Sequence, residues 1–197
     1  QANVIVTYNK DRKAGDKVFE ECRTLGSQDP LLLKLDVRSN SDIKNAAKVV
    51  REKYGHVDIL INNAGVISWE NLCDQEFEDI ENQIRTNLQG LIKVTKGFLD
   101  LVKSTIINIS SGAGQVGYGG ISVYSATKFG IRGFTQALAK ELEHLNIYTL
   151  NPGMTATRMT NFRGDSAVKV ASVILNTAMG KYPVESGDDV NIWDYEE

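Results

Sequence analysis

The stretch VDILINNAG, residues 57–65, places a short apolar run directly before small and polar residues. Aliphatic side chains dominate Val57–Ile61, and turn-forming residues from Asn62 to Gly65 follow them. This combination is typical of a buried strand that ends in a loop. The stretch therefore predicts one strand of a covered sheet, with a loop of small residues at its carboxyl end.

Strand and helix patterns alternate on both sides of this stretch. The segments predicted before it are a strand at Ala2–Thr7, a helix at Lys13–Leu25, a strand at Leu31–Leu35, and a helix capped by Ser39 or Ser41 that stops at Gly55. Those predicted after it are a helix at Glu76–Val102, a strand at Thr105–Ile109, a loop at Ser110–Gly120, a helix at Tyr124–Leu145, a strand at Asn146–Leu150, a helix at Val168–Met179 and a strand near Val190–Trp193. Such alternation predicts an α/β fold, a doubly wound parallel sheet of Rossmann type in three α/β/α layers, as a single domain over residues 1–197.

One expected part of this sheet is absent from the sequence. A doubly wound dinucleotide-binding fold begins with a strand, a glycine-rich turn and a helix that faces the pyrophosphate. No such turn precedes Ala2–Thr7, and the glycines between residues 112 and 120 lie ahead of a later helix. Because the first strand is central in the order 3-2-1-4-5-6, we expect two sheet halves with unpaired backbone groups. We also expect the chain to be incomplete at its N-terminus, with the natural gene product beginning some tens of residues earlier.

Bulk composition narrows the class of protein. At 197 residues and 42% hydrophobic, the chain can bury one sizeable core. A net charge of −3 and a pI near 5.5 supply no positive face, which argues against a nucleic-acid partner. No apolar run approaches the roughly 20 residues of a membrane span, so we expect no membrane partner and a cytoplasmic location.

Metal-ligating side chains are few and scattered. Cys22 and Cys73 form no CxxC unit, and His56 and His144 are equally isolated. Because zinc sites bring such residues together at short spacings, we expect no metal site. Two free thiols are the expectation for a reducing compartment.

The most specific chemical pattern is formed by Ser111, Tyr124 and Lys128. Tyr124 and Lys128 are four residues apart at the start of a predicted helix, so they share one face. A lysine cation beside a phenol favours the phenolate and is expected to lower the pKa of Tyr124. Ser111 follows a strand, where its hydroxyl can hydrogen-bond a substrate carbonyl. The three supply an acid or base, a cation and an orienting group, although Tyr124 could equally pack in the core and Lys128 lie in solvent.

Further motifs occur in order along the chain. They are Leu35-Asp36-Val37, Asn62-Asn63-Ala64-Gly65, Asn87, Asn108-Ile109-Ser110-Ser111, Tyr124-Ser125-Ala126-Thr127-Lys128 and Pro152-Gly153. In residue type, order and spacing these motifs resemble the short-chain dehydrogenase/reductase family. The resemblance extends from residue 1 nearly to the C-terminus. It implies a Rossmann-fold oxidoreductase that transfers a hydride between a nicotinamide cofactor and a small carbonyl or alcohol.

The resemblance also implies catalytic roles. Tyr124 would be the acid or base, and Ser111 would bind the substrate oxygen. Lys128 would lower the pKa of Tyr124 and hold the ribose hydroxyls beside the nicotinamide. Asn87 would kink its helix and position a water that extends a proton relay from Lys128. A surface amide is the alternative interpretation of Asn87.

Cofactor-binding residues are implied in the same way. Asp36, with Val37, would lie at the adenine. The alternative interpretation of Asp36 is an aspartate that only forms a turn. Asn63, Ala64 and Gly65 would let the backbone approach the adenosine ribose, whereas Asn62 would tie neighbouring strands together. The segment that closes on the nicotinamide amide and pyrophosphate would be formed by Pro152, Gly153, Thr155 and Thr157. The two threonines could instead cap a short helix.

The residues after the first predicted strand favour NADP over NAD. Enzymes specific for NAD place a carboxylate there to grip the ribose 2′-hydroxyl, but Tyr8 and Asn9 carry no acid. Cations at Lys10, Arg12 and Lys13 follow, and they could neutralise a 2′-phosphate or simply begin a solvated helix. Asp11 could weaken that effect. We therefore expect NADP as cofactor, with NAD as the alternative and Asn9 beside the ribose.

Two classes of function fit these residues. The first is an active enzyme on a small substrate, such as a 3-oxoacyl thioester or another small ketone, with Trp69 and Tyr118 as candidate pocket walls. The second is a binding or regulatory protein that kept the fold and lost catalysis. The intact Ser111, Tyr124, Lys128 and Asn87 favour the enzyme. The resemblance further implies a homodimer or homotetramer.

Overall fold

Parallel strands and helices alternate along residues 2–195, the part of the chain that the computed structural model describes. The strands are β1 (Ile5–Tyr8), β2 (Leu31–Lys34), β3 (Val57–Asn62), β4 (Val102–Ile109), β5 (Asn146–Asn151) and β6 (Asp189–Asn191). The helices are α1 (Arg12–Thr24), α2 (Asn40–Tyr54), α3 (Phe77–Gln83), α4 (Leu91–Phe98), α5 (Ser122–Glu141) and α6 (Ala167–Ala178). The predicted α/β class is confirmed.

Local sequence signals fix several element ends. The Ser39 side chain accepts a hydrogen bond of 3.2 Å from the backbone N–H of Asp42 and so caps α2. At the other end of α2, Gly55 adopts a φ of 76°, a left-handed conformation that costs glycine little. Both ends agree with the sequence-based expectation.

Other boundaries differ from the prediction. The helix expected over Glu76–Val102 ends at Phe98, and β4 begins at Val102 rather than at Thr105. Leu101 and Val102 are buried in the core, so the apolar pattern runs on after the helix has stopped. The last predicted strand is likewise shorter, because residues 192–194 form a 3-10 turn.

Strand pairing divides the described residues into two sheets. β1 pairs only with β2, whereas β3, β4, β5 and β6 form a four-stranded sheet in that order, and all pairs are parallel. The predicted separation into two halves is confirmed, and one edge of β1 and one edge of β3 have no strand partner in residues 2–195. That a further strand joins the two edges stays a prediction.

Helices cover both faces of the sheets. On one face, α2, α4 and α5 pack over the main core, which includes Val50, Ile106 and Ile147. On the other face, α6 packs over Tyr148 and Leu150, and α1 approaches Leu32 at Gly15. Residues of both sheets contact the main core, so the two halves share one hydrophobic interior. The predicted three-layer arrangement is confirmed.

Residues 2–195 contain no helix long and apolar enough to cross a membrane. Within the same residues, no three side chains of histidine, cysteine, aspartate or glutamate come together as a metal site. Cys22 and Cys73 are both free thiols.

Candidate active site

The helix between β3 and β4 widens where Asn87 faces inward. Residues Ile84–Gly90 form a π-helical segment between α3 and α4, and Asn87 is fully buried within it. Its side-chain oxygen accepts a hydrogen bond of 2.7 Å from the N–H of Val66, and its amide donates one of 2.8 Å to the Val66 carbonyl. Asn87 thereby fixes the loop that follows β3. The expected irregularity at Asn87 is confirmed as a π-helical segment, which often marks a functional position.

Ser111 begins a tight turn at the carboxyl end of β4. Its hydroxyl accepts a hydrogen bond of 3.1 Å from the N–H of Ala113 and caps the 3-10 turn Gly112–Gly114. The N–H of Gly112 donates to the Pro152 carbonyl at 2.9 Å, which ties this turn to the segment after β5. Ser111 therefore sits where the loops after two neighbouring strands meet.

Tyr124 and Lys128 occupy the first two turns of α5 and point into the protein. Tyr124 is 8% exposed and Lys128 is 4% exposed. The Lys128 ammonium donates a hydrogen bond of 2.8 Å to the Ile109 carbonyl and lies 5.5 Å from the centre of the Tyr124 ring. The Ser110 hydroxyl donates to the Lys128 carbonyl at 2.9 Å and so fastens this part of α5 to β4. The alternative interpretation of Lys128 as a solvated side chain is wrong.

Burial decides the protonation of this pair. Desolvation raises the pKa of Tyr124, and the neighbouring Ser111 hydroxyl, which can hydrogen-bond the phenolate, only partly offsets it. Desolvation also lowers the pKa of Lys128 to about 8. The pKa of Tyr124 therefore lies above its ordinary value rather than below it, because burial dominates, and the effect of Lys128 on it stays a prediction.

Gly65 is the point at which these side chains converge. A Cβ placed on Gly65 would lie 3.5 Å from the Asn87 side-chain oxygen and 3.8 Å from the Lys128 ammonium nitrogen. Ile67, two residues further on, packs against the cluster that contains Tyr124. The loop after β3 thus runs past Tyr124, Lys128 and Asn87. The structure brings together the residues that the sequence identified as catalytic.

Asn62 links neighbouring elements through its side-chain amide. Its amide donates to the Asn108 side-chain oxygen at 2.8 Å and to the Thr95 hydroxyl at 2.9 Å. Asn108 in turn donates to the Thr135 hydroxyl at 3.0 Å. These buried groups tie β3, β4, α4 and α5 together, so the predicted link between strands is confirmed.

Asp36 lies after β2 and is held by a residue that the sequence did not single out. Both of its carboxylate oxygens accept hydrogen bonds from the Arg38 guanidinium, at 3.0 and 2.7 Å. This bidentate pair, with help from the Asn9 side chain, lowers the pKa of Asp36 to about 2. Arg38 also donates to the Asn82 side chain at 2.9 Å. Arg38 could have been found only as the next cation after the aspartate.

Val37, the residue after Asp36, packs against the π-helical segment. A Cβ on Gly90 would come within 2.7 Å of the Val37 side chain, so the end of the π-helical segment passes directly over it. The Asp36-Val37 pair and the Asn87 helix are therefore neighbours. Asn63 and Ala64 are exposed after β3.

The segment after β5 begins with buried Pro152 and exposed Gly153. Thr155 pairs with Asp165 in an isolated parallel bridge. Thr157 caps the 3-10 turn Arg158–Thr160 through reciprocal hydrogen bonds with Thr160. The capping alternative is confirmed for Thr157.

The residues present fit a ribose diol at Gly65. An ammonium has three N–H bonds, and within residues 2–195 Lys128 uses one of them, toward Ile109. The remaining donors lie beside a glycine that leaves room for a ligand. Ribose hydroxyls accept hydrogen bonds readily, so this corner suits the nicotinamide end of a dinucleotide.

Comparison with known proteins identifies the family. The short chain dehydrogenase family model matches residues 1–167. The chain therefore belongs to the short-chain dehydrogenases, a family of NAD(P)-dependent oxidoreductases that act on carbonyl substrates.

Two curated relatives are similar over most of the chain. The NADPH-dependent pterin aldehyde reductase of Arabidopsis thaliana is 36% identical over 171 residues, which cover 78% of this chain and 71% of the relative. The 3-oxoacyl-[acyl-carrier-protein] reductase of Synechocystis is 33% identical over 163 residues, which cover 80% of this chain and 66% of the relative.

Solved structures agree on the fold. A dehydrogenase/reductase from Sinorhizobium meliloti superposes with a TM-score of 0.88 at 23% identity, covering 96% of this chain and 83% of the other. A short chain dehydrogenase from Burkholderia cenocepacia, solved with NADP, gives a TM-score of 0.87 at 24% identity, with coverage of 96% and 85%. The two sheets therefore lie as the halves of a complete Rossmann fold do.

Proposed function

We propose that the protein reduces a small carbonyl compound with NADPH, or catalyses the reverse oxidation. The observation that carries this proposal is the convergence of Asn87 and Lys128 at Gly65, with the Tyr124 ring 5.5 Å from the Lys128 ammonium and Ser111 beside Tyr124. When bound, the nicotinamide supplies or accepts the hydride. The chain itself must then bind the substrate oxygen and move one proton.

Tyr124 moves that proton. Its hydroxyl is neutral at physiological pH because burial raises its pKa, so it is ready to protonate a developing alkoxide. Ser111 donates a hydrogen bond to the same substrate oxygen and orients the carbonyl. Reduction therefore draws the proton from the Tyr124 hydroxyl, and oxidation returns it there.

Lys128 and Asn87 support Tyr124. The spare N–H bonds of Lys128 would hold the ribose hydroxyls of the cofactor, and its charge would stabilise the phenolate that forms when Tyr124 gives up its proton. The Asn87 side chain fixes the Val66 backbone and would position a water. That water would give a proton to Lys128, and Lys128 would return a proton to Tyr124.

The remaining residues hold the cofactor at the carboxyl ends of the strands. Asn9 would contact the adenosine ribose, Asp36 and Val37 the adenine, and Asn63, Ala64 and Gly65 the ribose. Pro152, Gly153, Thr155 and Thr157 would hold the nicotinamide amide and the pyrophosphate. NADP is favoured because Asn9 carries no charge and because the Arabidopsis relative is named for NADPH.

The substrate is expected to be small. The relatives act on a pterin aldehyde and on 3-oxoacyl groups, both of which present one reactive carbonyl. Exposed Trp69 and Tyr118, near the site in sequence, would form pocket walls. We further propose a single catalytic domain that assembles as a homodimer or homotetramer in the cytoplasm.

The proposal is tested by Tyr124→Phe in the full-length protein. Removing the hydroxyl leaves the ring in place, so calorimetry should give an unchanged Kd for NADPH. Turnover of an aldehyde and a 3-oxoacyl thioester should fall by roughly 10²- to 10⁴-fold, because general acid catalysis is lost. Tyr54→Phe, at the last residue of α2 and outside the proposed site, is the matched control and should keep its turnover.

Two results would contradict the proposal. Full turnover by the Tyr124→Phe variant would remove Tyr124 from the chemistry. Binding of nucleotide by the wild type without turnover of any carbonyl would favour the second candidate, a regulatory protein of the same fold.

A further inference from the structure

The segment Met154–Asp165 forms a loop that closes on itself. Thr155 pairs with Asp165, and the N–H of Asp165 donates to the Met154 carbonyl at 2.8 Å. Gly164 adopts a φ of +106°, and a Cβ there would lie only 1.8 Å from the Met154 carbonyl oxygen. The loop therefore has a defined shape that depends on a glycine at its neck.

Contacts at both sides hold this loop in place. On one side, the Trp69 indole N–H donates to the Met159 carbonyl at 3.2 Å. On the other, the Arg158 guanidinium donates to the Asp11 carboxylate at 3.1 Å, across 147 residues of sequence. Since Arg158 and Met159 are adjacent in the capped 3-10 turn, the Trp69 contact helps direct Arg158 toward Asp11.

Asp11 occupies a position with meaning for a dinucleotide. It caps α1, the helix that follows β1, and accepts a hydrogen bond of 3.0 Å from the N–H of Ala14. In Rossmann folds the chain at this point, after the second strand, contacts the ribose 2′-position. The chain superposes on such folds with TM-scores of 0.87 and 0.88, so β1 corresponds to that second strand. A free carboxylate here would repel a 2′-phosphate.

The ion pair removes this repulsion and is easily exchanged. Arg158 is 81% exposed and Asp11 is 52% exposed, so water screens their attraction. A phosphate dianion is a stronger partner for a guanidinium than one solvated carboxylate is, because it offers more charge and a bidentate set of oxygens. The Asp11 carboxylate can therefore hold Arg158 in place without competing well against a phosphate.

We propose that Arg158 selects NADP(H) by leaving Asp11 and binding the 2′-phosphate of the cofactor. This inference rests on the proposed function, because it assumes that the dinucleotide binds along the carboxyl ends of the strands. It adds a cofactor-specificity residue from the loop after β5, far in sequence from Asn9 and the cations of α1. Asp11 is the acid that would otherwise favour NAD, and Arg158 neutralises it.

The test measures binding to the full-length protein by calorimetry, with adenosine 2′,5′-bisphosphate and AMP as probes beside NADPH and NADH. Arg158→Gln is expected to weaken the bisphosphate and NADPH by about tenfold, the value of one charge-assisted hydrogen bond, and AMP and NADH by less than about twofold. Asp11→Asn keeps a capping side chain but frees Arg158, so it should tighten the bisphosphate and leave AMP unchanged. Arg163→Gln, in the same loop and exposed, is the matched control and should bind all four ligands as the wild type does.

The outcomes separate this inference from the proposed function. If Arg158→Gln binds all four probes like the wild type, or weakens them equally through the pyrophosphate or the loop, the inference is wrong, while wild-type NADPH binding and turnover still support the function. If the wild type binds neither NADPH nor NADH, the proposed function and this inference are both overturned.

Discussion

Lys128 is a cation held almost out of contact with water, and this has a cost for the folded state. Its side chain makes a hydrogen bond of 2.8 Å to the Ile109 carbonyl, and burial lowers its pKa to about 8 from 10.5. A buried ammonium that lacks a carboxylate partner destabilises the fold whenever it is protonated. A buried charge that destabilises the fold is typical of a functional position rather than of a structural one.

The pKa of Lys128 predicts how stability depends on pH. Below pH 8 both the folded and the unfolded chain carry the charge, so the full penalty is present. As pH rises from about 8 toward 10.5, the folded chain loses the proton first, and its free energy of unfolding should increase by about 3 kcal/mol from this group. Lys128→Met should abolish this increase and be more stable than the wild type at pH 7.

Denaturant unfolding of both proteins between pH 7 and 9.5 checks this prediction. That range avoids most of the opposing effect of Tyr124, whose raised pKa makes the fold less stable as the phenol titrates above its ordinary value of 10. A constant difference in free energy between the two proteins across the range would contradict a lowered pKa for Lys128.

At the scale of elements, α5 lies unusually close to the turn after β4. A Cβ on Gly114 would come within 2.5 Å of the Ser110 hydroxyl and 2.9 Å of the Lys128 carbonyl carbon and oxygen. The close approach lets Ser110 donate its hydrogen bond to the Lys128 carbonyl. The position of the turn of α5 that carries Lys128 thus depends on the absence of a side chain at Gly114.

Gly114→Ala should therefore move α5 away from the sheet. We expect a loss of about 1–3 kcal/mol in the free energy of unfolding, as for overpacked sites, and a fall in kcat as Lys128 and Tyr124 shift. Gly117→Ala is the matched control, since a Cβ there meets nothing within 4 Å. Thermal unfolding and steady-state kinetics of both variants provide the measurement. Equal behaviour of the two alanine variants would show that the approach is not constraining.

Elements with strong local signals could be predicted from the sequence. Ser39 and Gly55 define α2 because a cap and a left-handed glycine are properties of a few adjacent residues. The motifs of the candidate site are local in the same sense, so Ser111, Tyr124 and Lys128 could be placed on a loop and a helix without a structure. Where Leu101 stays buried after α4 has ended, the apolar pattern does not reveal the boundary.

Contacts between distant segments could not be predicted. Trp69 with Met159 and Arg158 with Asp11 are separated by 90 and 147 residues, and nothing in either local sequence indicates its partner. The direction of the Tyr124 pKa shift could not be predicted for a related reason. The sequence places the Lys128 cation near Tyr124. How much water reaches the phenol depends on how the whole site packs, and a local sequence does not indicate this.

At the scale of the whole molecule, the two sheets are joined through helices and side chains rather than through strand pairing. β4 is paired on both sides and its residues Ile106 and Ile107 are fully buried, whereas β1 is paired with β2 alone. Ile59 and Ile61 on β3 are 36% and 45% exposed. Strand edges of this kind open more readily than a central strand.

Amide hydrogen exchange should reveal this difference in the 197-residue chain. We expect peptides that contain Ile5–Tyr8 to exchange much faster than peptides that contain Ile106–Ile109, since local opening of β1 breaks fewer hydrogen bonds. A longer protein that supplies the predicted central strand should slow exchange at β1 and β3 together. Equal protection of β1 and β4 in the 197-residue chain would contradict the expectation that β1, at the boundary between the two sheets, opens more readily.

The chain contains two tryptophans, Trp69 and Trp193, and both stand beside the site. Trp69 is bonded to the loop that carries Arg158, and the Trp193 ring lies against Gly112, next to Ser111. Both rings are partly open to water, so their emission responds to whatever enters or leaves the cleft. The tryptophan emission of this 197-residue chain therefore reports on the surroundings of the candidate site. In a Trp69→Phe variant, the tryptophan signal would come from Trp193, beside Gly112.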